Sequence, residues 1–174
     1  CVLTHRFDSS WPNHEDVAQT RIIRLGRGTK SQSYYGRPWE KIGYIIRAWL
    51  RAEKEHRRQP FGMIWAVMAS YAGVAAWLFK IRHPRIPFLL TLQEGDAESH
   101  ILHRVGVWYP LWRLIFKRAD YIQAISEYLA KFARRQGANC PIEIIPNGVA
   151  AEEIIFNPVQ GKKEKIIITT SRLV

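Results

Sequence analysis

Cysteines and long apolar runs are both scarce in this chain of 174 residues. Its two cysteines, Cys1 and Cys140, are too few for a disulfide framework, so a reducing compartment, the cytoplasm, is expected. The longest nearly apolar run, VMASYAGVAAWLF at 67–79, is shorter than the roughly 20 residues that cross a bilayer. The first residues show no basic segment followed by an apolar stretch, so they do not indicate a signal peptide.

Acidic residues are also scarce relative to basic ones. The chain has 15 Asp and Glu against 26 Lys and Arg, a formal net charge of +11. This imbalance favours an anionic partner, such as phosphates, nucleic acid or an acidic membrane face. Hydrophobic residues make up 47% of the chain, with seven each of Trp, Tyr and Phe, which excludes disorder and predicts one substantial core.

Short apolar runs alternate with helical patterns along the chain. Because parallel neighbours in a sheet need a crossover that a helix usually supplies, this order predicts an α/β fold with a doubly wound parallel sheet. The predicted strands are CVLTHRF, TRIIRLG, FGMIWAV, IPFLLTL, DYIQAI, PIEIIP and EKIIITT, with a polar loop, DSSWPNHEDVAQ, between the first two. The predicted helices are one opened by Pro38, SYAGVAAWLFKI, SHILHRVGVWYPLWRLIFKRA (kinked or divided at Pro110) and EYLAKFARRQ, which Ser126 caps and Gly137 ends.

The last third of the chain carries two motifs in tandem. RADYIQAISEYLAKFARRQGANCPIEIIPNGV at 118–149 is followed by FNP at 156–158 and IIITTSRLV at 166–174. Together with PFLLTLQEGD and MASYAGVAA further upstream, they resemble retaining glycosyltransferases of the GT-B fold, in the large family 4. By itself, Asn147-Gly148 is typical of an ordinary turn. The resemblance makes these two residues a hinge at the end of a Rossmann-like domain.

The resemblance also implies a division of the chain. Residues 1–149 are expected to form the N-terminal, acceptor-side domain without its start, and 150–164 an interdomain linker. Residues 165–174 are then the first strand of a donor-binding domain. Since the chain begins inside an apolar run and stops directly after a strand-like one, we expect a fragment cut at both ends, inactive by itself.

Polar residues directly after the strand IPFLLTL are the candidates for chemistry. Open α/β sheets place ligands at the carboxyl ends of their strands. Gln93 could orient a sugar or an acceptor hydroxyl, and Glu94 could accept a hydrogen bond from one, so both are catalytic candidates. A histidine found here in the resembling family is absent. Alternatively, the carboxylates cap the following helix. The predicted acceptor-binding residues are Ser70, Tyr71, Asp96 and Ser126.

Arg172 resembles the arginine that contacts the donor diphosphate in the family. A guanidinium there offsets the charge that develops on the leaving nucleotide. The resemblance implies a nucleotide-sugar donor, a glycan, lipid-linked or small-molecule hydroxyl as acceptor, and retention of anomeric configuration. Ala150 replaces an aspartate of the family motif, which leaves no carboxylate to act there.

No metal and no other cofactor are expected, the nucleotide sugar being a substrate. Zinc would need the pair His100 and His103 plus a further ligand, with Glu94, Asp96 and Glu98 nearby in the sequence. A histidine pair on a polar helix face is usually plain surface, and glycosyltransferases of this fold typically need no bound metal.

Two alternatives concern anionic partners. The segment HRVGVWYPLWRLIFKR interleaves aromatics and cations, which suits either a helix at the inner face of an anionic membrane or a core helix with a buried aromatic stripe. A basic nucleic-acid-binding α/β module without catalysis is the alternative function. The chain shows no nucleic-acid motif and its cations are dispersed, so we expect no nucleic acid as partner.

Overall fold

The computed structural model describes residues 1–28 and 38–148. The predicted linker at 150–164, the predicted strand at 165–174 and Arg172 therefore lie outside the described residues. The strands are β1 Val2–His5, β2 His14–Val17, β3 Thr20–Leu25, β4 Ile64–Val67, β5 Phe88–Leu92, β6 Tyr121–Ala124 and β7 Ile142–Ile144. The helices are α1 Pro38–Arg58, α2 Tyr71–Arg82, α3 Glu98–Val105, α4 Tyr109–Arg118 and α5 Glu127–Arg135, with a 3₁₀ turn at Gly106–Trp108 between α3 and α4.

Four parallel strands form the main sheet, in the order β4-β5-β6-β7. Each strand is joined to the next through helix: α2, then α3 and α4, then α5. The register aligns Val67 with Thr91, Leu92 with Ala124, and Ala124 with Ile144. Hence all four strands end at one edge of the sheet, and the predicted α/β, Rossmann-like architecture is confirmed.

The core lies between one face of this sheet and its crossover helices. Alternate strand residues, among them Leu90 and Ile122, pack in one buried cluster with Phe116 of α4 and Phe132 of α5. Each of these four side chains is at most 1% exposed. Burying one such side chain contributes about 1.5–3 kcal/mol, so this cluster holds the helices against the sheet.

Helix α1 joins the main sheet to a smaller one. It packs along α2 through Tyr44, Ala48 and Ala75, which form a second buried cluster. Its contacts with β1 and β3 connect it to a three-stranded sheet in which β1 and β3 are parallel. Helix α2 packs on two sides, since Ala75 contacts α1 while Trp77 belongs to the main core.

Two local predictions are corrected or resolved by the structure. The loop predicted between the first two strands contains β2, which pairs antiparallel with β3. All four residues of β2 are exposed, so no apolar alternation marks it in the sequence. The aromatic segment is divided into two helices: Gly106 adopts φ 51° and ends α3, while Pro110 lies in the first turn of α4.

A buried lysine fastens the amino edge of the sheet. Lys80, 8% exposed, donates hydrogen bonds to the carbonyls of Pro84 and Ile86, both at 2.9 Å. Its ammonium also lies 2.6 Å from Oδ2 of Asp120, which accepts a hydrogen bond from the Phe88 N–H at 2.7 Å. This junction ties the end of α2 to the starts of β5 and β6.

Candidate active site

The predicted site residues come together at the carboxyl edge of the main sheet. Ser70 follows β4, Gln93 and Glu94 follow β5, Ser126 follows β6 and Asn147 follows β7. This is the edge at which open α/β sheets bind their ligands. Sequence position relative to the strands was thus sufficient to find it.

Glu94 turns its carboxyl group inward rather than toward solvent. Its Oε1 accepts a hydrogen bond from the Ala69 N–H at 2.8 Å. Its Oε2 is enclosed and forms no well-aligned hydrogen bond with the described residues. This geometry links the loop after β5 to the loop after β4, and it favours a positioning role for Glu94 over direct contact with substrate.

Burial raises the pKa of Glu94 above its ordinary value of 4.5. The Ala69 N–H and the positive charge of Arg104 oppose this shift in part. The native protein therefore binds a proton at Glu94 more tightly than the unfolded chain does.

The stability difference between the wild type and Glu94→Gln should depend on pH. Because the native pKa of Glu94 is raised, its favourable contribution is fully present below 4.5 and is lost as pH rises through the higher native value. Glutamine has no such titration. Urea unfolding of both proteins is measured from acid to neutral pH. We expect the free energy of unfolding of the wild type minus that of Glu94→Gln to fall as pH rises, and a value that stays flat or rises would contradict a raised pKa.

The loop after β4 contains a residue in a strained conformation and is bound by a buried tryptophan of α4. Met68 has φ 69°, a left-handed conformation that costs a non-glycine residue on the order of 1 kcal/mol. Its N–H donates to the Thr91 carbonyl at 2.7 Å, and the Trp112 indole donates to the Ala69 carbonyl at 2.5 Å. These two hydrogen bonds fix the peptide groups before Met68 and after Ala69. They hold the loop in a conformation that methionine does not favour.

Sequence reasoning missed Met68 and Ala69, because a backbone conformation and backbone hydrogen bonds leave no polar signature. Trp112 was noted as part of the aromatic segment. Its burial at 7% exposure, with that of Phe116, confirms the core interpretation for these two residues.

Gln93 is exposed, and its side chain reaches toward the last strand. Its Nε2 lies 3.4 Å from Oδ1 of Asn147, a long hydrogen bond that spans the loops after β5 and β7. Of the two catalytic candidates, Gln93 is therefore the one that a sugar or an acceptor could touch directly. The hinge at Asn147 and Gly148 stays a prediction.

The two candidate serines differ in what their hydroxyls do. Ser126 caps α5, its Oγ accepting from the Leu129 N–H at 3.3 Å. Ser70 occupies the same position before α2 but makes no capping hydrogen bond. Ser126 therefore has a structural task, whereas the Ser70 hydroxyl remains available to a ligand.

Replacing each serine by alanine should separate these roles. Ser126→Ala should lower the free energy of unfolding by about 1 kcal/mol, the usual value of an N-cap. Ser70→Ala, the matched control, should change it by less than about 0.5 kcal/mol. Chemical denaturation measures both, and equal losses would contradict the difference in capping.

The remaining acceptor-binding candidates are partly engaged. Asp96 pairs with Arg104 at 2.9 Å, which neutralises its charge and leaves less for a substrate. Tyr71, at the start of α2, is 40% exposed and carries the Lys41 ammonium 5.3 Å above its ring. Tyr71 is thus accessible to a ligand, and the positive charge of Lys41 lies next to it.

The residues considered for zinc have other neighbours. Glu94 binds Ala69, Asp96 pairs with Arg104, and Glu98 lies 2.6 Å from Arg135. Among residues 1–28 and 38–148, no three His, Cys, Asp or Glu side chains are arranged to hold a metal ion.

Two surface clefts lie away from the carboxyl edge. One, of about 500 Å³, separates the β2–β3 hairpin from the end of α1 and is lined by Asp16, Arg21 and Gln59 among others. The other, of about 320 Å³, surrounds the junction of Lys80 and Asp120 at the amino edge. Neither contains a predicted site residue, so we place the site by the chemistry at the strand ends.

Comparison with known proteins agrees with this architecture. The chain resembles the solved structure of sucrose-phosphate synthase from Thermosynechococcus elongatus, with a TM-score of 0.61 and 18% identity. The match covers 86% of this chain and 76% of that one, and at this identity it supports the fold alone. No curated protein gives a significant match. The model of the glycosyl transferase 4-like domain matches residues 1–148. The chain therefore belongs to the glycosyl transferase 4-like family, whose reaction is glycosyl transfer.

Proposed function

We propose that the protein transfers a sugar from a nucleotide-sugar donor to a hydroxyl acceptor bound at the carboxyl edge of β4–β7. The observation that carries this proposal is the family match over residues 1–148, together with the convergence of polar groups from four strand ends on that edge. The acceptor is a glycan, a lipid-linked saccharide or a small molecule, and the transfer retains the anomeric configuration.

Each described site residue has a distinct part in this proposal. Gln93 touches the acceptor or the transferred sugar, since its amide is exposed and can both donate and accept. The Ser70 hydroxyl and Tyr71 contact the acceptor from the start of α2. Glu94 positions this loop through Ala69 rather than reacting itself.

The donor is held by a second domain in the proposed arrangement. Residues 150–164 link to it, 165–174 form its first strand, and Arg172 contacts the diphosphate. Charge develops on that diphosphate as the glycosidic bond breaks, and a guanidinium stabilises it. The metal-free mechanism is likewise part of the proposal: the cation at the leaving group is an arginine.

A transfer assay tests the proposal. The full-length protein is incubated with a panel of nucleoside diphosphate sugars and with glycan and lipid-linked acceptors, and NMR follows the product anomer. We expect nucleoside diphosphate release with one donor class and a product of the donor's own anomeric configuration. Release with no donor would overturn the proposal, inversion would overturn retention, and transfer by the 174-residue chain alone would overturn the two-domain arrangement.

A further inference from the structure

An apolar corner projects from the protein between α3 and α4. Val107 is 89% exposed, Trp108 64% and Leu111 41%. We refer to these three residues as the α3–α4 corner. Trp112 and Phe116, further along α4, are at most 7% exposed, so the same helix buries one aromatic face and presents another apolar surface outward. Exposing the apolar side chains of Val107 and Trp108 to water costs free energy. This indicates that another surface covers them.

The surroundings of the corner are cationic. Residues 99–118 contain four Lys and Arg, two His and no Asp or Glu. Lys117 and Arg118 are exposed at the end of α4, and neither forms an ion pair with a described residue. Arg118 lies seven positions after Leu111, so the two share one helix face. An apolar tip with the unpaired cation of Arg118 on the same face, and that of Lys117 exposed beside it, matches an anionic interface better than a neutral one.

The corner also borders the candidate active site. Trp112 directly follows Leu111, and its indole donates to the Ala69 carbonyl, while the Ala69 N–H binds Glu94. A surface that covers the corner would therefore lie beside the loops after β4 and β5. An acceptor embedded in that surface would reach the site without leaving it.

We propose that the α3–α4 corner docks on the surface of an anionic lipid bilayer. Val107, Trp108 and Leu111 enter the boundary between headgroups and acyl chains, the depth at which tryptophan partitions. Lys117 and Arg118 lie against anionic headgroups, and their attraction falls with ionic strength. The attachment is peripheral: no helix in residues 1–28 or 38–148 is long and apolar enough to cross a membrane. Docking needs no donor, so it can be tested independently of the proposed reaction.

Vesicle sedimentation tests the docking. The full-length protein is mixed, without donor, with vesicles of phosphatidylcholine or of equal parts phosphatidylcholine and phosphatidylglycerol, at low and high salt. We expect binding to the anionic vesicles that weakens with salt. The double variant Val107→Ser/Trp108→Ser should lower the partition coefficient about tenfold or more. Lys117→Gln/Arg118→Gln should remove most of the preference for anionic lipid.

The matched control removes two exposed apolar side chains elsewhere. Val17 and Met63, 49% and 53% exposed, lie by the β2–β3 hairpin and before β4, and Val17→Ser/Met63→Ser should bind as the wild type does. Circular dichroism confirms that each variant folds. Wild-type protein that stays in the supernatant, or an equal loss in the control, would overturn the proposal. If vesicle binding is absent and Val107→Ser/Trp108→Ser converts a dimer to a monomer in sedimentation equilibrium, the corner is covered by a second copy instead.

Discussion

Replacing Glu94 by alanine in the full-length enzyme should lower the rate of sugar transfer about 100-fold, the scale of a misplaced catalytic loop. Alanine removes the acceptor of the Ala69 N–H and so releases the loop in which Met68 holds φ 69°. Glutamine keeps an oxygen at the position of Oε1. Glu94→Gln should therefore transfer sugar within about fivefold of the wild type, a loss of roughly 1 kcal/mol in barrier terms.

The two variants distinguish positioning from acid–base chemistry. If Glu94 exchanged a proton with the acceptor, glutamine would be as damaging as alanine, and the positioning role would be wrong. Asp16→Ala is the control, because that carboxylate is exposed on β2, away from the carboxyl edge, and pairs only loosely with Arg21, at 3.5 Å. It should leave the rate unchanged. Steady-state kinetics should place the loss for Glu94→Ala mainly in kcat.

Replacing Lys80 by methionine should lower the free energy of unfolding by about 3 kcal/mol, since it removes a buried ammonium that holds two carbonyls and one carboxylate. Methionine fills most of the volume but leaves the carbonyls of Pro84 and Ile86 without their donor. It also leaves the Asp120 carboxylate without its cation, although the Phe88 N–H remains bound to it. The Asp120 side chain is 47% exposed, so water can recover part of that loss.

Lys131→Met is the matched control for Lys80→Met. Lys131 and Glu127 form an i,i+4 pair with side chains 72% and 76% exposed, and such pairs contribute little. Chemical denaturation should show a change within about 0.5 kcal/mol. A loss below about 1 kcal/mol in Lys80→Met would mean that the junction does not hold the amino edge of the sheet.

Strands β5 and β6 were predictable because burial dictates their residues. FLLTL in β5 has every residue but Leu89 fully buried, and such a position admits few polar side chains. Strand β2 was not predictable, because HEDV lies at a sheet edge with both faces in water. Its pairing rests on backbone hydrogen bonds to β3, and the ion pairs Asp16–Arg21 and Glu15–Arg24 cross the same two strands.

The placement of the candidate site residues in the fold was predictable to the same degree. Gln93, Glu94 and Ser126 were chosen as candidates because they follow apolar runs, and the topology then places such residues at one edge. What Glu94 does was not predictable, since its partner is the N–H of Ala69, a residue with no polar side chain. Lys80 likewise reads as a surface cation in the sequence, and only the fold brings the carbonyls of Pro84 and Ile86 to it.

Hydrogen exchange on the full-length enzyme tests the central claim most directly, namely that transfer takes place at the carboxyl edge of β4–β7. Exchange is compared with and without the donor and acceptor that the transfer assay identifies. The account predicts protection concentrated in 68–71, 93–98, 125–128 and 145–148. Protection confined to the cleft beside the β2–β3 hairpin, or to the junction around Lys80 and Asp120, would contradict it.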